Sequence, residues 1–257
     1  MANALADLLA GQVWAIFLVF ARFGAAFAVL PGFAEAAIPP RMRLLLAAGV
    51  TFVIAPTVAG ALPPLPPEPM RLMMLVGIEC ATGLFLGLVA RITLAAAHIA
   101  GLIIGYQTSL ASAFAFDPGT QQQGVITAAW LSTLAVVTLF AADLHHVLLR
   151  ALADSYAMFP AGSPVPSSDF ADAASQLLSR SFSLGLRMSM PFLVYGIVLF
   201  VALGLVQRLM PQMQVFFVAL PLQLSLGLLL MAISTGVAMT IFIDDMEVVL
   251  GALIKLR

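Results

Sequence analysis

Long apolar runs separated by short connectors rich in helix breakers dominate the chain. Six of these runs have about the length that a helix needs to cross a bilayer, roughly 20 apolar residues, or exceed it. They cover residues 13–30, 44–62, 72–104, 125–142, 188–206 and 215–243. The pattern predicts an all-α fold: a polytopic integral membrane protein of long helical hairpins.

Two of the six runs are longer than one crossing requires. The run at 72–104 carries ionisable side chains, so it either breaks near Arg91 or projects beyond the lipid. The run at 215–243 is followed by acidic residues, and we expect it to continue as a polar-ended helix toward Lys255. Neither run therefore predicts a simple single span.

The connectors differ in kind. Residues 63–69 form a proline-rich spacer that stops one helix and sets the angle of the next. The largest polar region is 143–187, and within it Ser168 or Asp169 is a candidate cap for an amphipathic helix. We expect this helix to lead directly into the apolar run that starts at Met188.

Composition agrees with a membrane protein and excludes some partners. Hydrophobic residues make up 62% of the 257 positions and charged residues 9%, whereas soluble domains carry about 25% charged residues. The net charge of −1 offers no basic surface for nucleic acid. Cys80 is the one cysteine, which excludes an internal disulfide, and we expect it to be a buried small side chain.

The charged residues that flank the predicted spans do not determine how the spans are oriented in the membrane. The first apolar run is not preceded by a positively charged segment, so we expect the first helix to be retained and not cleaved as a signal peptide. Lys and Arg are almost evenly divided between the two sides of a six-span arrangement, which leaves the orientation undecided. Either the spans are miscounted, or the hairpins are held by protein partners instead of lipid.

Small residues recur every fourth position along the third run. The series contains Ala97, Gly101 and Gly105, and Gly83 with Gly87 forms a second pair. Small residues at this spacing let membrane helices approach closely. The sequence leaves two interpretations open, which are packing within the chain and packing against neighbouring subunits.

Residues 109–123 are too apolar for an exposed loop and too broken for a membrane helix. After Ser109 the segment contains two aromatic residues, a breaker triplet and an amide patch: Phe114, Phe116, Asp117, Pro118, Gly119, Gln121, Gln122 and Gln123. Backbone around a proline cannot stay unsatisfied in lipid. We therefore expect this segment to line or fill a cavity that protein encloses at membrane depth.

No sequence feature points to catalysis. A phosphate loop, a nucleophile elbow and a dinucleotide fingerprint do not occur, so we predict no enzyme activity, no catalytic or metal-binding residue and no cofactor. The nearest approach to a metal site is Asp143-Leu144-His145-His146. Adjacent histidines on a helix point in different directions, and the spacing is not that of a zinc motif, so we expect a polar contact at a helix end.

Three ionisable residues in apolar sequence are candidates for buried ion pairs. They are Arg22, Glu79 and Arg91. A charge inside a membrane helix is costly unless it is paired. Glu79 and Arg91 are more than three turns apart along one helix, so any pairing of Glu79, with Arg91 or with Arg22, would be between helices. We favour structural ion pairing over a proton relay.

The chain resembles the FliR family of flagellar export-gate proteins and their homologues in virulence-type injectisomes, over nearly its whole length. Short motifs carry the resemblance, in the family's order: Arg22-Phe23-Gly24, Pro31-Gly32-Phe33, Pro39 with Arg41, Glu79, the loop from Ala111 to Gly119, Asp143-Leu144-His145-His146 with Ser155 and Pro160, Pro191, and a turn containing Arg208, Pro211, Gln212 and Met213 followed by Pro221. This turn is the most specific. The chain departs from many members at Gly105-Tyr106-Gln107-Thr108, where they have an acidic residue, so the role of that acid is not transferred.

The resemblance implies an architecture and a set of partners. Residues 1–187 would be a P-like part, containing the loop 109–123 and the polar segment 143–187, and residues 188–257 a Q-like terminal hairpin. Family members join P-type and Q-type subunits in a helical ring whose hairpins are lifted partly out of the bilayer. B-type and A-type export membrane proteins are further implied partners, in the bacterial inner membrane at the flagellar basal body.

The implied function is the closed entry pore for unfolded flagellar subunits. In that interpretation residues 109–123 are a pore plug with an apolar constriction that sheds water. An injectisome export gate is the alternative within the family. A small-molecule transporter and a membrane scaffold without a pore are alternatives outside it, although a transporter predicts inverted repeats that this sequence lacks.

Overall fold

The structure is a computed structural model that describes residues 2–35, 37–111, 126–163, 167–210, 212 and 215–255. Within these residues it contains α-helices, one 3-10 turn and no strand. The helices are α1 (Ala2–Phe27), α2 (Pro40–Val58), α3 (Pro69–Gln107), α4 (Ile126–Ala141), α5 (Leu144–Met158), α6 (Ser167–Leu209) and α7 (Val215–Lys255), with the 3-10 turn at Ala59–Ala61.

In the part of the chain that the structure describes, five helices are long and apolar enough to cross a membrane: α1, α2, α3, α6 and α7. The bent pair α4 and α5 would be a sixth if it forms one broken span. The prediction of an all-α polytopic membrane protein is confirmed.

The two overlong runs are each a single continuous helix. The third run lies within α3, which has 39 residues and does not break near Arg91, so a break there was the wrong alternative. The last run lies within α7, which reaches Lys255 as expected. The amphipathic segment and the run at Met188 also form one helix, α6.

These helices are longer than a bilayer is thick. At 1.5 Å per residue, the 39 to 43 residues of α3, α6 and α7 span about 60 Å. The hydrocarbon core measures about 30 Å. A large part of each helix must therefore lie outside the hydrocarbon, in water or against protein.

The segment 143–187, predicted to be a polar region with one amphipathic helix, contains a further helix, α5. Its 15 residues bury Leu144, Leu148, Ala151, Leu152, Ser155 and Tyr156 along one face. The periodicity of these positions was present in the sequence, but the helix is too short to register as a membrane span.

The chain forms two compact units. Unit 1 comprises the described residues of Met1–Ile92, Asp143–Leu177 and Glu247–Arg257, and unit 2 those of Thr93–Ala142 and Leu178–Met246. Helices α3, α6 and α7 each contribute to both. The division into P-like and Q-like parts at residue 188 is a separate matter and stays a prediction.

Unit 1 packs α1, α2, α5 and the first part of α3. Trp14, Leu18 and Leu75 form a buried apolar cluster, and Trp14 Nε1 donates to Pro63 O at 3.0 Å. This contact fixes the proline-rich spacer against α1. Cys80 is half-buried instead of fully buried, and its Sγ lies 3.7 Å from Ala21 O.

Unit 2 packs the second part of α3 with α4 and with most of α6 and α7. Met188, Phe192 and Phe242 are among its fully buried side chains. Arg180 on α6 contacts both carboxylate oxygens of Asp245 on α7, at 2.9 to 3.2 Å. A bidentate pair of this kind fixes the register of the two helices.

Candidate functional site

Arg22 on α1 and Glu79 on α3 form a buried ion pair in unit 1. Arg22 Nε lies 2.7 Å from Glu79 Oε2, and Arg22 Nη2 lies 3.2 Å from Oε1. Both residues are 0% exposed. Of the two interhelical partners that the sequence left open for Glu79, the structure brings Arg22 to it.

The remaining donors of the Arg22 guanidinium contact α5 and the turn that follows it. Arg22 Nη1 donates to Ser155 Oγ at 3.0 Å, and Nη2 donates to Phe159 O at 2.9 Å. The guanidinium carbon lies 3.8 Å from the centroid of the Tyr156 ring, which is a cation–π contact. One arginine therefore holds three segments that are far apart in sequence.

Glu79 makes a further contact with the turn after α5. Gly162 N–H donates to Glu79 Oε1 at 3.3 Å. Gly162 has a φ of 79°, a conformation that favours glycine, and a Cβ there would lie 2.6 Å from Leu75 Cδ2. The turn can reach the carboxylate because residue 162 is a glycine.

Two glycines bring α3 close enough to α1 for the ion pair to form. A Cβ at Gly83 would overlap Arg22 O, and a Cβ at Gly87 would lie 2.9 Å from Ala26 O. These glycines therefore pack against a helix of their own chain. Packing of the small-residue series against other subunits stays a prediction.

Arg91 has a different partner. Its Nη1 lies 3.2 Å from Glu35 Oε1, and the two side chains are 43% and 37% exposed. Arg43 donates to the backbone of the same turn, at Phe33 O and Glu35 O. Arg91 thus fixes the turn after α1 and does not contact Glu79.

In unit 2, the two helices that flank the predicted plug segment pack closely together. A Cβ at Gly101 on α3 would overlap Ala128 Cα on α4 and lie 2.6 Å from Thr127 O. Thr127 Oγ1 also donates to Gly101 O at 2.7 Å. Ala97 and Gly105, on the same series, are buried. The helix before the predicted plug segment, α3, and the helix after it, α4, are therefore in direct contact.

The end of α3 contacts α6 and α7. Gln223 Nε2 on α7 donates to Gln107 O at 2.8 Å, and Tyr195 Oη on α6 donates to Gln223 O at 2.8 Å. Thr108 is fully buried. Ser109 then adopts a φ of 58°, which ends the helix.

Of the predicted plug, 109–123, the structure describes residues 109–111, which begin with Ser109. The residues Phe114, Phe116, Asp117, Pro118, Gly119, Gln121, Gln122 and Gln123 lie outside the described residues. In the predicted family turn, Arg208 is exposed near the end of α6 and Gln212 is exposed after it, whereas Pro211 and Met213 also lie outside the described part. The roles assigned to these residues stay predictions.

The side chains of Asp143, His145 and His146, at the start of α5, lie closer together than the sequence suggested. The His145 and His146 ring centroids are 4.0 Å apart, so the expectation that these side chains diverge was wrong. One donor atom from each of Asp143, His145 and His146 lies within 4.8 Å of the others. The group sits at the positive end of a helix dipole, which favours the Asp143 carboxylate and disfavours a bound cation. The 3.6 Å contact of Asp143 Oδ1 with His146 Nδ1 fits a polar contact at the helix end.

The polar partners that α5, α6 and α7 supply were not evident from the sequence. Ser155 and Tyr156 lie in a segment that carries no membrane-span signal. Tyr195 and Gln223 had a usable signal, because polar side chains inside apolar helices are costly without a hydrogen-bond partner. Their partners depend on the packing of three helices, which the sequence does not specify.

Comparison with known proteins covers most of the chain. A sequence model of the family described as "Bacterial export proteins, family 1" matches residues 13–249. The chain is 40% identical to "Flagellar biosynthetic protein FliR" of Caulobacter vibrioides, over 89% of this chain and 91% of that protein. It is 30% identical to the Escherichia coli protein of the same name, over 85% and 82% of the two chains. It is also 28% identical to "Yop proteins translocation protein T" of Yersinia pestis, over 89% and 88%.

Proposed function

Because the chain belongs to the FliR family of bacterial export proteins, we propose that it forms, with partner subunits, the closed entry pore of a flagellar type III export gate. Membership of this family establishes that the chain is a membrane-embedded component of a type III export apparatus. The proposed substrates are unfolded flagellar subunits that leave the cytoplasm. The proposed location is the bacterial inner membrane, at the flagellar basal body.

One observation carries the pore proposal: α3 and α4, the helices that precede and follow segment 109–123, pack directly against each other. The helices touch at Gly101 and Ala128, and the end of α3 is hydrogen-bonded to α7 through Gln223. Flanking helices that are fixed in this way suit a segment that blocks a pore at a defined position. Its composition, with Phe114 and Phe116 beside a breaker and an amide patch, suits an apolar constriction that does not trap a passing chain.

The helix lengths support assembly with other subunits. Helices of about 60 Å leave roughly half their length beyond a bilayer core of about 30 Å. Large apolar side chains stay exposed along α6 and α7, among them Ile197, Val201, Leu205, Ile233 and Val237. Exposed apolar surface of this kind contacts lipid within the bilayer and needs a protein partner wherever the helix extends beyond it. The proposed partners are P-type and Q-type export-gate subunits, with B-type and A-type membrane proteins as further neighbours.

The virulence injectisome is a second candidate system. The Yersinia relative, whose name refers to the translocation of Yop proteins, supports it. The flagellar system is preferred because the Caulobacter relative shares 40% identity over a similar share of the chain, against 28% for the Yersinia protein.

Deleting residues 111–122 tests the proposed plug. We expect the assembled complex to leak ions while export persists or increases, because the apolar constriction is gone. The measurement is the decay of a membrane potential across proteoliposomes that contain the purified complex. A length-preserving variant, with Phe114→Ser and Phe116→Ser, tests the constriction without shortening the chain. Ion-tight complexes in both variants would argue against the plug.

Purification separates this proposal from a transporter or a scaffold. We expect the solubilised protein to co-purify in a fixed complex with P-type and Q-type subunits. A protein that runs alone and binds a small solute would be a transporter instead. A fixed complex that shows no conductance after the deletion would support a scaffold without a pore.

A further inference from the structure

The C-terminal end of α3 is the place where three helices of unit 2 meet through polar contacts. A helix leaves its last four carbonyl groups without helical donors, and a buried carbonyl without a donor is costly. At α3 these four groups belong to Ile104, Gly105, Tyr106 and Gln107. How each one is satisfied shows what fixes this end of the helix.

Three of the four carbonyls are satisfied locally. Ile104 O accepts from both the backbone N–H and the hydroxyl of Thr108, at 2.9 and 2.8 Å. Gly105 O accepts from the N–H of Ala111 at 3.1 Å, and Tyr106 O from the N–H of Ser109 at 3.5 Å. The chain around the end of α3 therefore forms its own cap.

The fourth carbonyl, Gln107 O, accepts from another helix. Its donor is Gln223 Nε2 on α7 at 2.8 Å, and Gln223 is only 5% exposed. Tyr195 Oη on α6 donates to the backbone oxygen of Gln223 at 2.8 Å. Hydrogen bonds therefore join α6 to α7 and α7 to α3. A neutral amide can satisfy a carbonyl at membrane depth without burying a charge.

Two glycines let the three helices approach closely at this point. A Cβ at Gly227 on α7 would lie 2.6 Å from Thr108 Cγ2, and a Cβ at Gly196 on α6 would overlap Gln107 Oε1. By contrast, a Cβ at Gly236 on α7 would meet no atom within 4 Å. On α7 the close approach therefore occurs at Gly227 and not at Gly236.

We propose that Tyr195 and Gln223 form a hydrogen-bonded link that fixes the end of α3 to the α6–α7 hairpin, and that this link sets how tightly the resting export gate is closed. The second half of this statement rests on the proposed function, since the chain leaves α3 here toward the proposed plug. Tyr195 and Gln223 are positioning residues, because they act on the end of α3 and not on an exported protein.

The test uses Gln223→Met in the assembled complex, with Ser225→Ala as the matched control. Methionine keeps the length of the side chain and removes its donor. Ser225 is exposed on the same helix, and its hydroxyl bonds Leu222 O within that helix. A hydrogen bond of this kind corresponds to an equilibrium shift of about tenfold. We expect Gln223→Met to raise the ion leak about tenfold and to speed amide hydrogen exchange at residues 105–108 to a similar extent. Co-purification with partner subunits should not change.

Tyr195→Phe is the second variant, and it keeps the proposal testable if Gln223→Met does not assemble. It removes one hydroxyl and leaves the Gln223 amide in place, so we expect changes in the same direction but smaller. Exchange and leak rates equal to those of Ser225→Ala, in whichever of the two variants assembles, would overturn the proposal.

The two measurements also separate this proposal from the proposed function. If deletion of 111–122 causes a leak but Gln223→Met does not, the gate function stands and the link does not control it. If neither the deletion of 111–122 nor Gln223→Met causes a leak, the proposed plug function is wrong. Hydrogen exchange then decides whether Gln223 fixes the end of α3, and unchanged exchange would overturn that half as well.

Discussion

Removing one charge of the Arg22–Glu79 pair is expected to prevent stable accumulation of the protein. In Glu79→Gln, the Arg22 guanidinium would stay fully buried without its counter-charge. Breaking a buried pair in this way costs about 3–5 kcal/mol, a large part of the stability of most proteins. The measurements are the amount of protein in the membrane fraction and the melting temperature of the solubilised complex.

The exposed pair of Arg150 and Asp154 in the same unit supplies the control. Their side chains are 76% and 48% exposed and lie 3.7 Å apart. Surface pairs of this kind contribute about 0.2–1 kcal/mol. Asp154→Asn should therefore accumulate and melt as the unaltered protein does. Equal behaviour of Glu79→Gln and Asp154→Asn would show that the buried pair does not hold unit 1 together.

Replacing both charges distinguishes the ion pair from the wider hydrogen-bond network. Arg22→Met combined with Glu79→Met buries no charge, and apolar replacement of a buried pair is often tolerated. Phe159 O and Gly162 N–H would still lose their partners in the pair. We expect the double variant to recover only part of the stability that Glu79→Gln loses.

Gly83→Ala is expected to have the second-largest effect, by separating α1 from α3. The added methyl would overlap Arg22 O, which is backbone and cannot rotate away. Overpacking costs typically about 1–3 kcal/mol. Gly83 also lies one turn from Glu79, so a shift of α3 would lengthen the ion pair. We expect a clear fall in melting temperature together with weaker recovery of the protein from membranes.

Two other glycines of α3 give a graded control. A Cβ at Gly87 would lie 2.9 Å from Ala26 O, whereas a Cβ at Gly77 would meet no atom within 4 Å. Alanine is favoured over glycine inside a helix by about 1 kcal/mol. Gly87→Ala should therefore destabilise less than Gly83→Ala, and Gly77→Ala should be neutral or slightly stabilising. The same loss for all three variants would refute the close-packing explanation.

The sequence was most informative about the long helices. Lipid requires apolar side chains over a full span, so α1, α2, α3, α6 and α7 each leave a long apolar run. The continuation of α7 to Lys255 was also predictable, because its polar end still suits a helix. Helix α5 was missed as an element, since it has only 15 residues and polar side chains such as Arg150 and Asp154 interrupt its apolar pattern.

For the candidate sites, the sequence determined that certain residues need partners, and the tertiary structure decided which partners they have. An ionisable side chain such as Glu79 in an apolar run must be paired, and small residues such as Gly83 predict close helix contacts. Glu79 is 57 positions from Arg22, and Gln107 is 116 positions from Gln223. Contacts at such separations depend on where whole helices cross. The crossing is set by the combined packing of many side chains, and no local sequence pattern encodes that sum.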